Sequence, residues 1–139
     1  MNEKYISLKV GRIRRAFRAE FERRAASLEI TKPQYHVLAR LWRGDGILSS
    51  TIARDIGMTT STMTGVLDRL EAKQLIRRAP AAADRRAMEI WLTDAGRTMR
   101  KPLQSIIDDI NRKALDGFSE RQKERFLRVL DKVGDNLEQ

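Results

Sequence analysis

The sequence predicts a mainly α protein with one small β-hairpin, an α+β chain, and three observations carry the prediction. The first is the set Met63, Val66, Leu67 and Leu70, spaced i, i+3, i+4 and i+7 as on one buried helix face. The second is a pair of β-like runs, LIRRA at 75–79 and MEIWL at 88–92. In the latter, Met88, Ile90 and Leu92 alternate with Glu89 and Trp91. The third is the loop between them, PAAADRR at 80–86, with Arg85 and Arg86 at its tip. A helix followed by a hairpin with a positive tip is the layout of a winged helix.

Composition bounds the rest. A chain of 139 residues suits one domain with accessory helices. Its 28 Lys and Arg against 19 Asp and Glu give a net charge of +9, which favours polyanionic partners: DNA, RNA or an acidic membrane surface. The absence of cysteine excludes disulfides, thiolate zinc sites and thiol redox sensing. With no apolar run of roughly 18 residues and no signal-like segment, the expectation is a soluble cytoplasmic protein without membrane partners.

Over residues 5–28, Ile6, Val10, Ile13, Phe17, Phe21 and Leu28 recur at helical spacing, while residues 1–27 carry eight cations and three acids. Two readings fit: a basic helix for DNA or lipid, and a solvated face whose long stems cover apolar surface. The interleaving of Glu20 and Glu22 favours the second. Thr31-Lys32-Pro33-Gln34 then reads as a capping box with proline in the first turn. It opens a helix that buries Tyr35, Leu38, Leu41 and Trp42 and stops at Gly44-Asp45-Gly46. His36 has no partner of metal-ligand or catalytic type at helical spacing. It reads as a helix-surface residue, and an effector contact is the one functional role left to it.

Ser49 opens a short helix, SSTIARDI, with Gly57 as a left-handed cap. Met58-Thr59 turns directly into a second helix over about 60–73, which makes a helix-turn-helix. Ser49, Ser50 and Thr51 put hydroxyls and free amides at a helix N-terminus, which suits a phosphate as well as plain capping. Opposite the buried face of the second helix lie Ser61, Gly65, Asp68 and Arg69, flanked by Thr62 and Thr64. That face is small and hydrogen-bonding.

Thr93 caps the next helix, and Met99, Leu103, Ile106, Ile107, Ile110, Ala114 and Phe118 continue it as an apolar stripe that Pro102 should kink. Ser119 and Gln122 form a second capping box, before a helix with Phe126, Val129, Leu130, Val133 and Leu137 on one face. These faces exceed what a small winged helix must cover, so a partner subunit is expected. Helices at 1–29 and 94–139 would dimerise around a DNA-binding winged helix-turn-helix at 30–93, the wing at about 75–92, all within one structural domain. Ile6, Val10, Ile110, Ala114, Phe118, Phe126, Leu130 and Val133 are the interface candidates.

The runs TKPQYHVLARL, IARDIGMTTSTMTGVLDRLEAKQLIRR and ADRRAMEIWLTDAGR resemble the MarR family of bacterial and archaeal transcription regulators. The likeness covers nearly the whole chain, and its most specific piece is Asp84, Arg86, Leu92, Thr93 and Gly96. It implies a homodimer on a pseudo-palindromic double-stranded operator, with the recognition helix in the major groove and the wing arginine in the minor groove. Repression released by a small, often aromatic or anionic effector is the implied mode. Carried over residue by residue, the DNA-binding positions are Ser49, Ser50, Thr59, Thr60, Ser61, Thr62, Thr64, Gly65, Arg69, Asp84, Arg85 and Arg86. Arg86 is the groove-inserting residue and Asp84 holds it. The effector junction draws on Phe17, Phe21, Tyr35, His36 and Trp42, most of which core packing explains more simply.

The chemistry of these positions agrees. Hydroxyls reach phosphates or base edges, and a threonine methyl packs on thymine. Gly65 costs about 1 kcal/mol against alanine within a helix, a hint of close approach from outside. Asp68 would be repelled by phosphate, so it is expected to orient an arginine or to accept from cytosine. A planar guanidinium suits a narrow minor groove. One position departs from the family pattern: Gln74 stands where a glycine is usual, at a cost of about 1 kcal/mol if the backbone there is left-handed. A sequence-blind nucleoid-associated or RNA-binding protein is the alternative. No triad, carboxylate dyad, phosphate loop or metal cluster points to an enzyme or a cofactor.

Overall fold

The computed structural model describes residues 5–139. Helix α1 covers Ile6–Arg24 and ends in a single 3₁₀ turn, Ala26–Leu28, where Glu29 is left-handed at φ 56°. Helix α2, Lys32–Trp42, starts on a complete capping box: the Gln34 amide donates to Thr31 Oγ1 and the Thr31 amide to Gln34 Oε1. Its buried side chains are Gln34, Val37, Leu38 and Leu41, whereas Tyr35 and Trp42, expected in the core, are half-buried. The core-facing row is therefore shifted toward Val37, and the Trp42 indole N–H donates to Gly96 O at 3.0 Å.

A short strand β1, Ile47–Leu48, precedes α3, Ser49–Ile56, and α4 spans Thr60–Ala72. The wing is β2, Ile76–Pro80, and β3, Met88–Leu92, paired antiparallel with Ile76 opposite Leu92 and Pro80 opposite Met88. Strand β1 was not expected. It pairs with β3 through Ile47↔Ile90 and Leu48↔Glu89, so the hairpin becomes a three-stranded sheet in the order β1-β3-β2. Phe21, Leu38, Leu41, Ile52, Leu70, Ile76, Ile90 and Leu103 are fully buried and mark the core between helices and sheet. Trp91, on the outer face of β3, lies over Gly46, where an added Cβ would meet its ring at 2.6 Å, and carries the Arg77 guanidinium 5.3 Å from its centre.

After the sheet, α5, Asp94–Thr98, and α6, Arg100–Ala114, are separated at Met99. Pro102 has no N–H for the carbonyl of Thr98, so the expected kink takes the form of an interrupted helix. Helix α7, Glu120–Leu137, opens on the second capping box, with both bonds between Ser119 and Gln122 formed. Two compact units result, one ending at Ile107 and one covering Asp108–Gln139, with the division inside α6. No helix among the described residues is long and apolar enough to cross a membrane.

The junction of α4 and the wing is closely packed. Gln74 is left-handed, φ 59°, and closes α4 as a Schellman motif: its amide donates to Glu71 O and the Leu75 amide to Leu70 O. Glutamine thus adopts the conformation for which glycine is usual. Thr93 joins the far end of the wing to this point, its amide donating to Leu75 O and its hydroxyl to Gln74 O at 2.7 Å. Gly96 lies against the same strand, and a Cβ there would stand 2.1 Å from Leu75 O.

Two outcomes follow for chemical unfolding. Gln74→Gly should raise the stability by about 1 kcal/mol, read as a higher denaturation midpoint at unchanged m-value. Gly96→Ala should lower it by about 3 kcal/mol or more, since backbone rather than a mobile side chain obstructs the new methyl.

Candidate nucleic-acid interface

Helix α3 ends at Gly57, left-handed at φ 68°, and the Met58 amide returns to Ala53 O. The turn delivers Thr59 as N-cap of α4, its hydroxyl oxygen accepting from the Thr62 amide and donating to Thr62 Oγ1 at 3.0 Å. Met63, Val66, Leu67 and Leu70 are buried, so the opposite face of α4 turns outward. Thr60, Ser61, Thr62, Thr64 and Arg69 are exposed there. Thr64 spends its proton on Thr60 O, which leaves its oxygen lone pairs and methyl for a partner. A Cβ on Gly65 would meet nothing closer than the Arg69 guanidinium at 4.0 Å, so the fold itself does not require glycine there.

At the start of α3 the N-cap is Leu48, which offers no side-chain cap. The first amides of α3 are thus left for another acceptor, with Ser49 half-buried and Ser50 exposed beside them. Plain capping by Ser49, one of the two expected readings, does not occur, because Ser49 is already the first helical residue.

At the wing tip, Asp84 Oδ1 accepts the Arg86 amide at 3.0 Å and lies 3.6 Å from Arg86 Nε. The Arg86 side chain is 94% exposed, and Arg85 beside it is exposed. Asp84 therefore shapes the turn and aims the guanidinium away from the protein. Asp68, expected to orient an arginine, does so: Arg78 Nη2 donates to Asp68 Oδ1 at 2.7 Å, and Arg78 Nη1 lies 3.4 Å from Glu71 Oε1. Arg78 was not singled out from the sequence. Its signal was there, since period-2 alternation puts it on the same strand face as buried Ile76, where a lone cation needs carboxylate partners.

The effector candidates fall into one row of rings and one outlier. Phe21 and Tyr35 are 5.2 Å apart, Tyr35 and His36 5.7 Å, and Tyr35 and Trp42 6.1 Å, while Lys32 Nζ lies 4.9 Å over Phe21 and 5.0 Å over Tyr35. Phe17 is half-buried and no ring contact joins it to this row. Lys32 was missed by sequence reading, and its proximity is a cation–π arrangement. Burial lowers the Lys32 ammonium below its ordinary pKa; burial, then the Lys32 charge, lowers His36. His36 also borders an open cleft of about 620 Å³ with Ala39, Arg40, Arg43, Asp55 and Ile56. Arg40 donates to Asp55 at 2.8 Å there, which holds that carboxyl below the usual range.

Of the interface candidates, Ile6, Val10, Phe118, Phe126 and Leu130 are 52%, 49%, 47%, 39% and 44% exposed, an unusual state for such large apolar residues. Ala114 is exposed and Val133 half-buried, whereas Ile110 is already buried within its own chain.

These features have close counterparts. The sequence pattern of the MarR family matches residues 30–88. The HTH-type transcriptional regulator TtmR of Methylorubrum extorquens (strain PA1) is 30% identical over 122 residues, 88% of this chain and 62% of that protein. The chain thus spans less than two thirds of that relative's length. The S. aureus MepR–DNA complex superposes with a TM-score of 0.84 at 27% identity, over 99% of both chains. The transcriptional regulator PA3341 superposes with a TM-score of 0.83 at 30% identity, over 96% of this chain and 98% of that one. The helix-turn-helix and the first wing strand fall within the matched residues, and the chain belongs to the MarR family.

Proposed function

We propose that the chain is a homodimeric transcription regulator that reads a pseudo-palindromic double-stranded operator and represses until a small effector releases it. One observation carries the DNA reading: a recognition helix with a small, hydroxyl-rich outer face stands beside a wing whose tip arginine is aimed into solvent. Thr60, Ser61, Thr62, Thr64, Gly65 and Arg69 take the major groove; Arg86, oriented by Asp84, takes the minor groove with Arg85 at its flank. Ser49, Ser50 and Thr59 take phosphates at the ends of the two helices. The MepR likeness supports this, since that protein was crystallised on DNA. Exposed apolar residues on α1 and α7 support the dimer, which would present two recognition helices about one DNA turn apart. An aromatic row with Lys32 over it, next to the cleft at His36, favours a small aromatic or anionic effector.

Binding to DNA from the protein's own upstream region, against a scrambled duplex over a salt series, tests the reading. The operator should be preferred by about a thousandfold or more, and the preference should survive rising salt. Arg86→Ala should weaken operator binding by at least about tenfold, and unchanged affinity would remove the wing from the interface. Light scattering should give twice the 16.0 kDa chain mass. Leu130→Asp should bring it to one chain, and a persistent dimer would move the interface away from α7.

A further inference from the structure

We infer that Arg78 is a positioning residue for DNA reading, one that engages both carboxylates of the recognition helix and, together with Arg69, balances their charge without touching DNA itself. The inference rests on the DNA-reading function proposed above. Helix α4 contains two acids, Asp68 and Glu71, and one cation, Arg69, so by its own side chains it is net negative. Such a helix approaches a phosphate-lined groove against its own field. Both carboxylates are reached by the same guanidinium: Nη2 lies 2.7 Å from Asp68 Oδ1 and Nη1 3.4 Å from Glu71 Oε1. The Arg78 amide adds a bond to Glu71 Oε2 at 3.3 Å.

Burial separates Arg78 from the cations assigned to DNA. Its side chain is 21% exposed against 94% for Arg86, while Asp68 and Glu71 are 59% and 43% exposed. Its register is fixed as well, since it pairs with the fully buried Ile90 in the middle of the hairpin. Surface ion pairs of this kind add little to stability one by one. Their consequence here is electrostatic: Arg78, together with Arg69, balances the two acids of the helix.

The test compares full-length wild type, Arg78→Met, Asp68→Asn/Glu71→Gln and the triple variant on the operator and on a scrambled duplex, over a salt series, with oligomeric state checked for each. Arg78→Met should lose at least about tenfold in operator affinity, and the triple variant should recover to within about threefold with the wild-type salt slope. A triple variant that stays as weak as Arg78→Met, with a slope reduced by about one, would make Arg78 a direct phosphate contact and overturn the inference. Arg78→Met binding like wild type would overturn it too, while leaving DNA reading intact. If wild type itself shows no preference between duplexes, DNA reading fails and this assignment falls with it. Should Arg78→Met not fold, the Asp68→Asn/Glu71→Gln variant decides: retained or tighter binding is expected, and a tenfold loss would mean that the carboxylates contribute in the bound state, contrary to the inference.

Discussion

The carbonyl of Leu75 and the α-carbon of Gly96 approach more closely than any side chain at position 96 would permit, and the placement of the wing depends on that contact. Thr93 seals it, with its amide on Leu75 O, its hydroxyl on Gln74 O and its oxygen accepting from the Gly96 amide at 3.0 Å. Asp45 closes the other side, accepting from the Leu92 amide at 2.9 Å and from Arg97 at 3.1 Å. Both strands of the wing are thereby fixed at the root, within a few residues of the recognition helix. The tip, with Arg85 and Arg86, is closed by the Ala81 amide on Ala87 O at 2.8 Å and by the Asp84 turn. A fixed root and an exposed tip suit an element that must enter a groove whose width depends on sequence.

The charge of the chain is sorted by whether its cations are already engaged. On α1, Arg18 pairs with Glu22, and Arg23 and Arg24 both pair with Glu20, all within one or two turns. Those pairs fit the reading of α1 as a solvated face. Lys73 is engaged as well: it donates to Glu29 O and, at 3.0 Å, to the buried Gln34, which fastens the end of the recognition helix to the start of α2. Arg77 lies over Trp91 and Arg78 over the two helix acids. Arg85 and Arg86 remain outward at the tip, Arg86 lightly paired to Asp84. The wing tip thus keeps two guanidiniums outward against the single carboxylate of Asp84.

What the sequence made legible follows from how local each signal is. Caps and periodicity are local, and the capping boxes at Thr31 and Ser119, the Gly57 cap and the buried row of α4 appear as read. Strand β1 was illegible because two residues hold no period, and Ile47–Leu48 become a strand by pairing with β3 alone. Gln74 could be flagged but not resolved from sequence. Its left-handed backbone is imposed by the two Schellman bonds and by Thr93, contacts that a propensity does not contain. Arg78 was hidden for a related reason, since its partners lie seven and ten residues away on another element.

Gly96 illustrates why a short motif can be specific without containing any reactive group. Its α-carbon faces Leu75 O, its amide serves Thr93, and its carbonyl accepts the Trp42 indole N–H at 3.0 Å. Three elements meet on one residue: the first wing strand, the start of α5 and the end of α2. Trp42 is also the last ring in the row that begins at Phe21, so that row terminates on the backbone that fixes the wing root. A shift of Trp42 would leave the Gly96 carbonyl to water and loosen one of the three contacts. The aromatic row and the wing are therefore mechanically adjacent, joined through a residue whose role is to take up no space.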